Sequence, residues 1–187
     1  MNTCLKNTNT RKSVKADISD YTVIDLETTD VNVHKCEIIE VSAVRVRNNV
    51  ITEQFSSLVK PSCTISRLIT SITGITNDMV KNSPSIGVIL PEYLEFIGDD
   101  IILGHNVAAF DRNIIAIQCE KLGLPPFMND TLDTLNYARR CKLDVPNRRL
   151  TTLTQYFSIS HEEAHRALAD CIANHYCYQK LKKLYED

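Results

Sequence analysis

The run Tyr21-Thr22-Val23-Ile24-Asp25-Leu26-Glu27-Thr28-Thr29 restricts what this 187-residue chain can fold into more than any other stretch. Its opening residues are aromatic or β-branched and uncharged, the pattern of a buried strand. Two carboxylates, Asp25 and Glu27, then interrupt the apolar run. Residues two apart on a strand share a face, so both acids project together. Like charges that close resist joint ionisation, and polar groups drawn into a core must find partners. A hard divalent cation is the ordinary answer for two convergent carboxylates. An edge strand with two solvated acids is the alternative, and this stretch alone leaves both open.

The chain is long enough for one domain with a sizeable core. Its 43% hydrophobic and 24% charged residues are ordinary for a soluble globular protein. No run approaches the length of a membrane span, and the polar N-terminus (Asn2, Thr3, Lys6, Asn7) lacks the apolar middle of a secretory signal. Seven cysteines without a Cys-x-x-Cys pair argue against both a disulfide framework and a structural zinc site. Together these features predict reduced thiols and a cytoplasmic setting. The net charge of −2 does not announce a nucleic-acid binder, but charge is local: Arg139, Arg140, Lys142, Arg148 and Arg149 face a single acid, Asp144, between residues 139 and 149. Such a patch can neutralise phosphates; a solvated helix end explains it equally well.

Residues 1–19 lack periodicity and read as a disordered or loosely attached arm, with a single domain over 20–187. A meander of three strands opens that domain: the Tyr21 strand, residues 37–47, and residues 50–59 after an Asn48-Asn49 turn. Short capped helical pieces follow over 64–83, then a helix over 84–97 that Pro91 should split or kink. Residues 100–103 form a short buried strand, and 106–122 a helix with Asn106 as its N-cap, closed by Gly123. Further helices are expected over 132–141, 150–156 and 166–185. Strands first, then strands mixed with helices, favours an α/β layer with helices on a mixed sheet.

Two more stretches hold chemistry. Gly104-His105-Asn106-Val107-Ala108-Ala109-Phe110-Asp111 lies where a buried strand passes into a helix, a common ligand position in open α/β sheets. Gly104 would let another backbone approach closely. In His165-Arg166-Ala167-Leu168-Ala169-Asp170, the histidine and aspartate would lie about 140° apart on an ideal helix. They can face one centre only if His165 precedes the helix. His161 and His175 are competing histidines, read here as surface or satisfied residues.

In this order, Asp-x-Glu-Thr-Thr at 25–29, His-Asn-x-x-x-Phe-Asp at 105–111 and His-x-Ala-x-x-Asp at 165–170 resemble the DEDD superfamily of 3′-5′ exonucleases, in its histidine branch. Within that superfamily the chain looks similar to the epsilon proofreading subunit of DNA polymerase III and to the exonuclease domain of PolC-type polymerases. The resemblance covers residues 20–182. It implies a ribonuclease H-like α/β fold with a central mixed five-stranded sheet flanked by helices. It also implies two-metal hydrolysis, with Asp25, Glu27, Asp111 and Asp170 holding two Mg²⁺ or Mn²⁺ ions and His165 acting as general base. Thr28, His105, Asn106 and Phe110 would line the pocket for the terminal nucleotide. Substrate would be single-stranded or frayed DNA 3′ ends, partners a nucleic acid and a replicative or repair polymerase, and product nucleoside 5′-monophosphates. Where the family often has glycine after the Thr-Thr pair, this chain has Asp30. Glu40 is a fifth acid, expected to support the metal ligands from behind or to be structural, and the chain's end at Asp187 reads as a stand-alone exonuclease or one recruited by other surfaces. An RNA-directed exonuclease of the same family and an inactive nucleic-acid-binding module are the competing readings.

Overall fold

The computed structural model describes residues 18–161 and 164–186. Most of the proposed arm, with Cys4 in it, lies outside the described residues. Ile18 and Ser19, also assigned to the arm, are built into the domain: Ile18 packs on the cluster around Tyr21 and its carbonyl accepts a hydrogen bond from Lys182 Nζ at 3.2 Å.

Five strands form one mixed sheet in the order β3-β2-β1-β4-β5. β1 (Tyr21–Thr28), β2 (Ile38–Arg47) and β3 (Val50–Leu58) make the expected meander. Asn48 and Asn49 join the last two in the left-handed region, at φ 52° and 61°, the backbone that a two-residue hairpin turn needs. β4 (Ile102–Gly104) and β5 (Thr131–Asp133) then add on the other side of β1, both parallel to it. β5 was hidden in the sequence because its three residues run directly into a helix. There is no separating turn to mark a change of period.

The alternation of β1 sorts the layers. Ile24 and Leu26 enter the core beneath α3 (Ile86–Ile97) and α4 (Asp111–Leu122), with Leu90, Tyr93 and Ile114. Tyr21 and Val23 point the other way, against Cys171 and Tyr178 of α7 (Ala167–Glu186). α3 runs through Pro91 as one helix. The smaller helices are α1 (Arg67–Thr73), α2 (Asn77–Val80), α5 (Thr134–Arg140) and α6 (Leu150–Tyr156). Ser66 caps α1 and Thr76 caps α2 through their hydroxyls, and Gly74 at φ 71° ends α1. Cys36, Cys119, Cys141, Cys171 and Cys177 are free and buried, and Cys63 is free and exposed. His175 is a satisfied core residue and not a surface one: it is 3% exposed, with Nδ1 3.0 Å from the Tyr21 hydroxyl. Among the described residues no helix is long and apolar enough to cross a membrane.

Candidate active site

Asp25 and Glu27 leave β1 on the α7 face, opposite Ser42 and Glu40 of β2. A bulge follows between Glu27 and Thr28, where the local kink ends regular pairing and turns the chain away. The site therefore lies at the carboxyl ends of parallel β1 and β4. That is where a sheet opens to ligands, because its strands end while the helices that follow them begin.

Gly104 ends β4, and a Cβ there would sit 2.8 Å from Val107 Cβ and 3.0 Å from the Ile24 carbonyl. Only glycine allows the loop to press so closely on β1. The loop does not begin the helix at Asn106 as expected. Asn106 adopts φ 66°, and α4 starts at Asp111 with Phe110 in the N-cap position. The reason is the company that Asn106 keeps. Its backbone N–H donates to Asp133 Oδ1 at 3.1 Å, and the same oxygen caps α5 by accepting from Leu135 N–H at 2.9 Å. Asp111 thus becomes the first helical residue, buried, with its carboxylate toward Asp25.

The Thr134 hydroxyl lies 2.9 Å from His105 Nδ1, 2.9 Å from Asn174 Oδ1 and 3.1 Å from the Gly104 carbonyl. Asp133 and Thr134 belong to none of the three motifs. The structure makes them the supports of the His105–Asn106 loop. Sequence reasoning could have found Asp133 as a helix cap, but not its bond to a loop 27 residues away.

His165 lies in the turn before α7, as its geometry required, exposed and at φ 67°. Glu40 anchors this turn. Its carboxylate accepts from Arg166 Nη2 at 2.8 Å, Arg166 Nε at 3.3 Å and the Ala167 N–H at 3.1 Å. One imidazole nitrogen of His165 and one carboxylate oxygen each of Glu27 and Asp170 lie within 4.8 Å of one another. His161 is not on the surface: Nε2 of its side chain, 6% exposed, is hydrogen-bonded to Asp170 Oδ1. No strand or helix period relates positions 161 and 170, so the sequence carried no signal for this contact.

Burial pushes Asp25 well above the usual carboxylate range, and the charges of Asp111, Asp170, Glu27 and Glu40 add to it. Burial likewise raises Glu27 to about 8 and Asp111 to about 7. Asp170 is raised by burial against the opposing pull of His161. The cation beside Glu27, Arg166, is already engaged by Glu40. Four carboxylates held together against their own ionisation suit a hard divalent cation with oxygen ligands. Asp25, Glu27, Asp111 and Asp170 are the residues that could hold it.

The other expected contacts divide. His105 and Asn106 line a cavity of about 590 Å³ that also reaches His161, His165 and Asp170. The Thr28 hydroxyl donates to the Asp30 carbonyl at 2.8 Å, and Phe110 packs half-buried on the α3–α4 core. Burial holds His105 below the usual histidine pKa.

The exonuclease family model (RNase T) matches residues 22–178. The chain belongs to this exonuclease family. It is 40% identical over 163 residues to the PolC-type DNA polymerase III of Listeria innocua, covering 87% of this chain but 11% of that relative. Against the epsilon subunit of DNA polymerase III from Aquifex aeolicus it is 40% identical over 150 residues, 80% of this chain and 74% of the subunit. Among solved structures, exonuclease X in complex with 5′-overhanging duplex DNA superposes with a TM-score of 0.70 at 26% identity, covering 87% of this chain and 90% of that one. E. coli exonuclease I in complex with a dT13 oligonucleotide gives 0.79 at 20% identity, over 90% of this chain and 42% of that one, a likeness of fold. The expected ribonuclease H-like sheet flanked by helices is thus the fold observed.

Proposed function

We propose that the protein removes nucleoside 5′-monophosphates one at a time from the 3′ end of single-stranded or frayed DNA. The observation that carries this reading is the convergence of Glu27, Asp170 and His165 within 4.8 Å, with Asp25 and Asp111 buried beside them. Asp25, Glu27, Asp111 and Asp170 would hold two Mg²⁺ or Mn²⁺ ions. These would offset the carboxylates' mutual repulsion, acidify the attacking water and stabilise the leaving 3′ oxygen.

The chain's own residues do the rest. His165, exposed to the cavity and close to Glu27 and Asp170, takes the proton from the water. Glu40, through Arg166 and the Ala167 N–H, keeps the His165 turn against the sheet. Asp133 and Thr134 hold the His105–Asn106 loop where the terminal nucleotide would bind. The likeness to polymerase III subunits supports DNA as substrate and a polymerase as partner.

The test uses 5′-labelled DNA and RNA oligonucleotides with Mg²⁺ or Mn²⁺, comparing wild type with Asp25→Ala and His165→Ala. A ladder shortening from the 3′ end of DNA, lost in both variants, is the expected result. Faster decay of RNA would replace the substrate, and no decay with either ion would leave a binding module.

A further inference from the structure

The cavity beside Asp170 has a second set of lining residues that the chemistry above does not use. Arg139, Arg148 and Arg149 all border it, against the single carboxylate of Asp170. The structure thereby divides the basic patch of residues 139–149. Arg140 and Lys142 face a separate cavity with Tyr156 and Leu184. Arg148 is a staple: its guanidinium donates to the carbonyls of Ala138, Val145 and Leu143 at 3.2, 3.1 and 3.3 Å, closing the loop between α5 and α6. Arg139 and Arg149 are exposed, on either side of that stapled loop.

Helix stability does not account for both. Arg139 lies in the last turn of α5, where a cation complements the helix dipole. Arg149 occupies the N-cap of α6 and makes no side-chain cap bond there. A cation at a helix N-terminus opposes the dipole, so Arg149 sits at a cost to its own helix. The two arginines flank the loop that Arg148 staples, next to acids that would otherwise repel an incoming phosphodiester chain.

We propose that Arg139 and Arg149 form a phosphate subsite for the strand upstream of the scissile bond. The assignment rests on the exonuclease reading for its direction. His105 and Asn106, where the terminal nucleotide would bind, border this cavity at its Asp170 end, so the strand upstream of that nucleotide enters the same cavity. The rest of the strand leaves across His165 and Asp170 toward the two arginines. Contacts to phosphate carry no base identity, so the subsite holds any single strand, whatever its sequence.

Binding is read by anisotropy of a fluorescein-labelled oligothymidylate in an Asp25→Asn background, across a salt series, for Arg139→Ala, Arg149→Ala and the double variant. Arg140→Ala serves as the off-site control. Affinity should fall about threefold per arginine and about tenfold in the double variant. The slope of log K against log salt should become shallower by about 0.7 per arginine, the single-strand value for one lost phosphate contact, with Lys at either position restoring most of it. With Asp25 intact, the ratio of kcat/KM on the oligonucleotide to that on thymidine 5′-(p-nitrophenyl phosphate), which has no upstream phosphate, should fall about tenfold in the double variant. Salt slopes equal to that of Arg140→Ala, or equal losses on both substrates, would overturn the subsite. Absence of hydrolysis by the parent protein would overturn the exonuclease reading alone, because the binding slopes judge the subsite without it.

Discussion

Replacing Glu27 by Gln should stabilise the metal-free protein at neutral pH. Burial, with the charges of Asp170, Glu40 and Asp111 behind it, raises this carboxyl from 4.5 to about 8. A carboxyl raised in the folded state binds more protons there than in the unfolded chain, so folding stability falls as pH rises between those two values. The stability is complete below about pH 4.5 and is lost as the pH climbs toward 8. At pH 7 the linkage amounts to roughly 2.5 pKa units, or about 3 kcal/mol. Solvent at the mouth of the site trims this to about 2–3 kcal/mol. Glutamine keeps the shape without the charge, so Glu27→Gln should melt about 5–10 °C above wild type in EDTA at pH 7. Near pH 4.5 the two proteins should melt together. Circular dichroism melts across pH read this directly. Titrating Mn²⁺ should then raise the wild-type melting temperature more than that of the variant, because one oxygen donor has lost its charge. A Glu27→Gln protein that melts at or below wild type at pH 7, or gains equally at both pH values, would refute the argument that an uncompensated acid cluster strains the fold.

Gly104→Ala should cost about 1–3 kcal/mol, since its Cβ would meet the Ile24 carbonyl at 3.0 Å; it should also slow hydrolysis by shifting the strand that carries Asp25, and a wild-type melting temperature would count against it. Glu40→Gln should lower the urea midpoint by the equivalent of about 2 kcal/mol, at the low end for a buried pair because the Arg166 side chain is 40% exposed. His175 is held below its ordinary value of 6.5 by burial, so it takes up protons only on unfolding. The contribution of His175 to stability should be complete above about pH 6.5 and decline as pH falls toward the depressed folded value, opposite in sign to that of Glu27, so His175→Gln should gain stability relative to wild type as pH falls from about 7 to 5 in parallel melts.

The sequence reached far because local rules and the fold agree over most of the chain. Asp25 and Glu27 had to share a face because a strand has period two, and β1 places them so. Asn48-Asn49 had to turn because both residues tolerate positive φ, and both adopt it. The same local logic required His165 to precede its helix, since an α-helix would have turned it away from Asp170.

What sequence could not supply was every contact between distant segments. Asn106 is a good helix cap by type, but Asp133 draws its N–H into another helix's cap and moves the start of α4 to Asp111. His161 meets Asp170, and Glu40 holds the turn before α7 across 126 positions of sequence. The basic patch is divided by which cavity each arginine faces. Backbone period and capping are read one residue after another, so the sequence determines them by itself. Which donor reaches which acceptor depends on where the sheet brings chain segments together, and only the tertiary structure decides that.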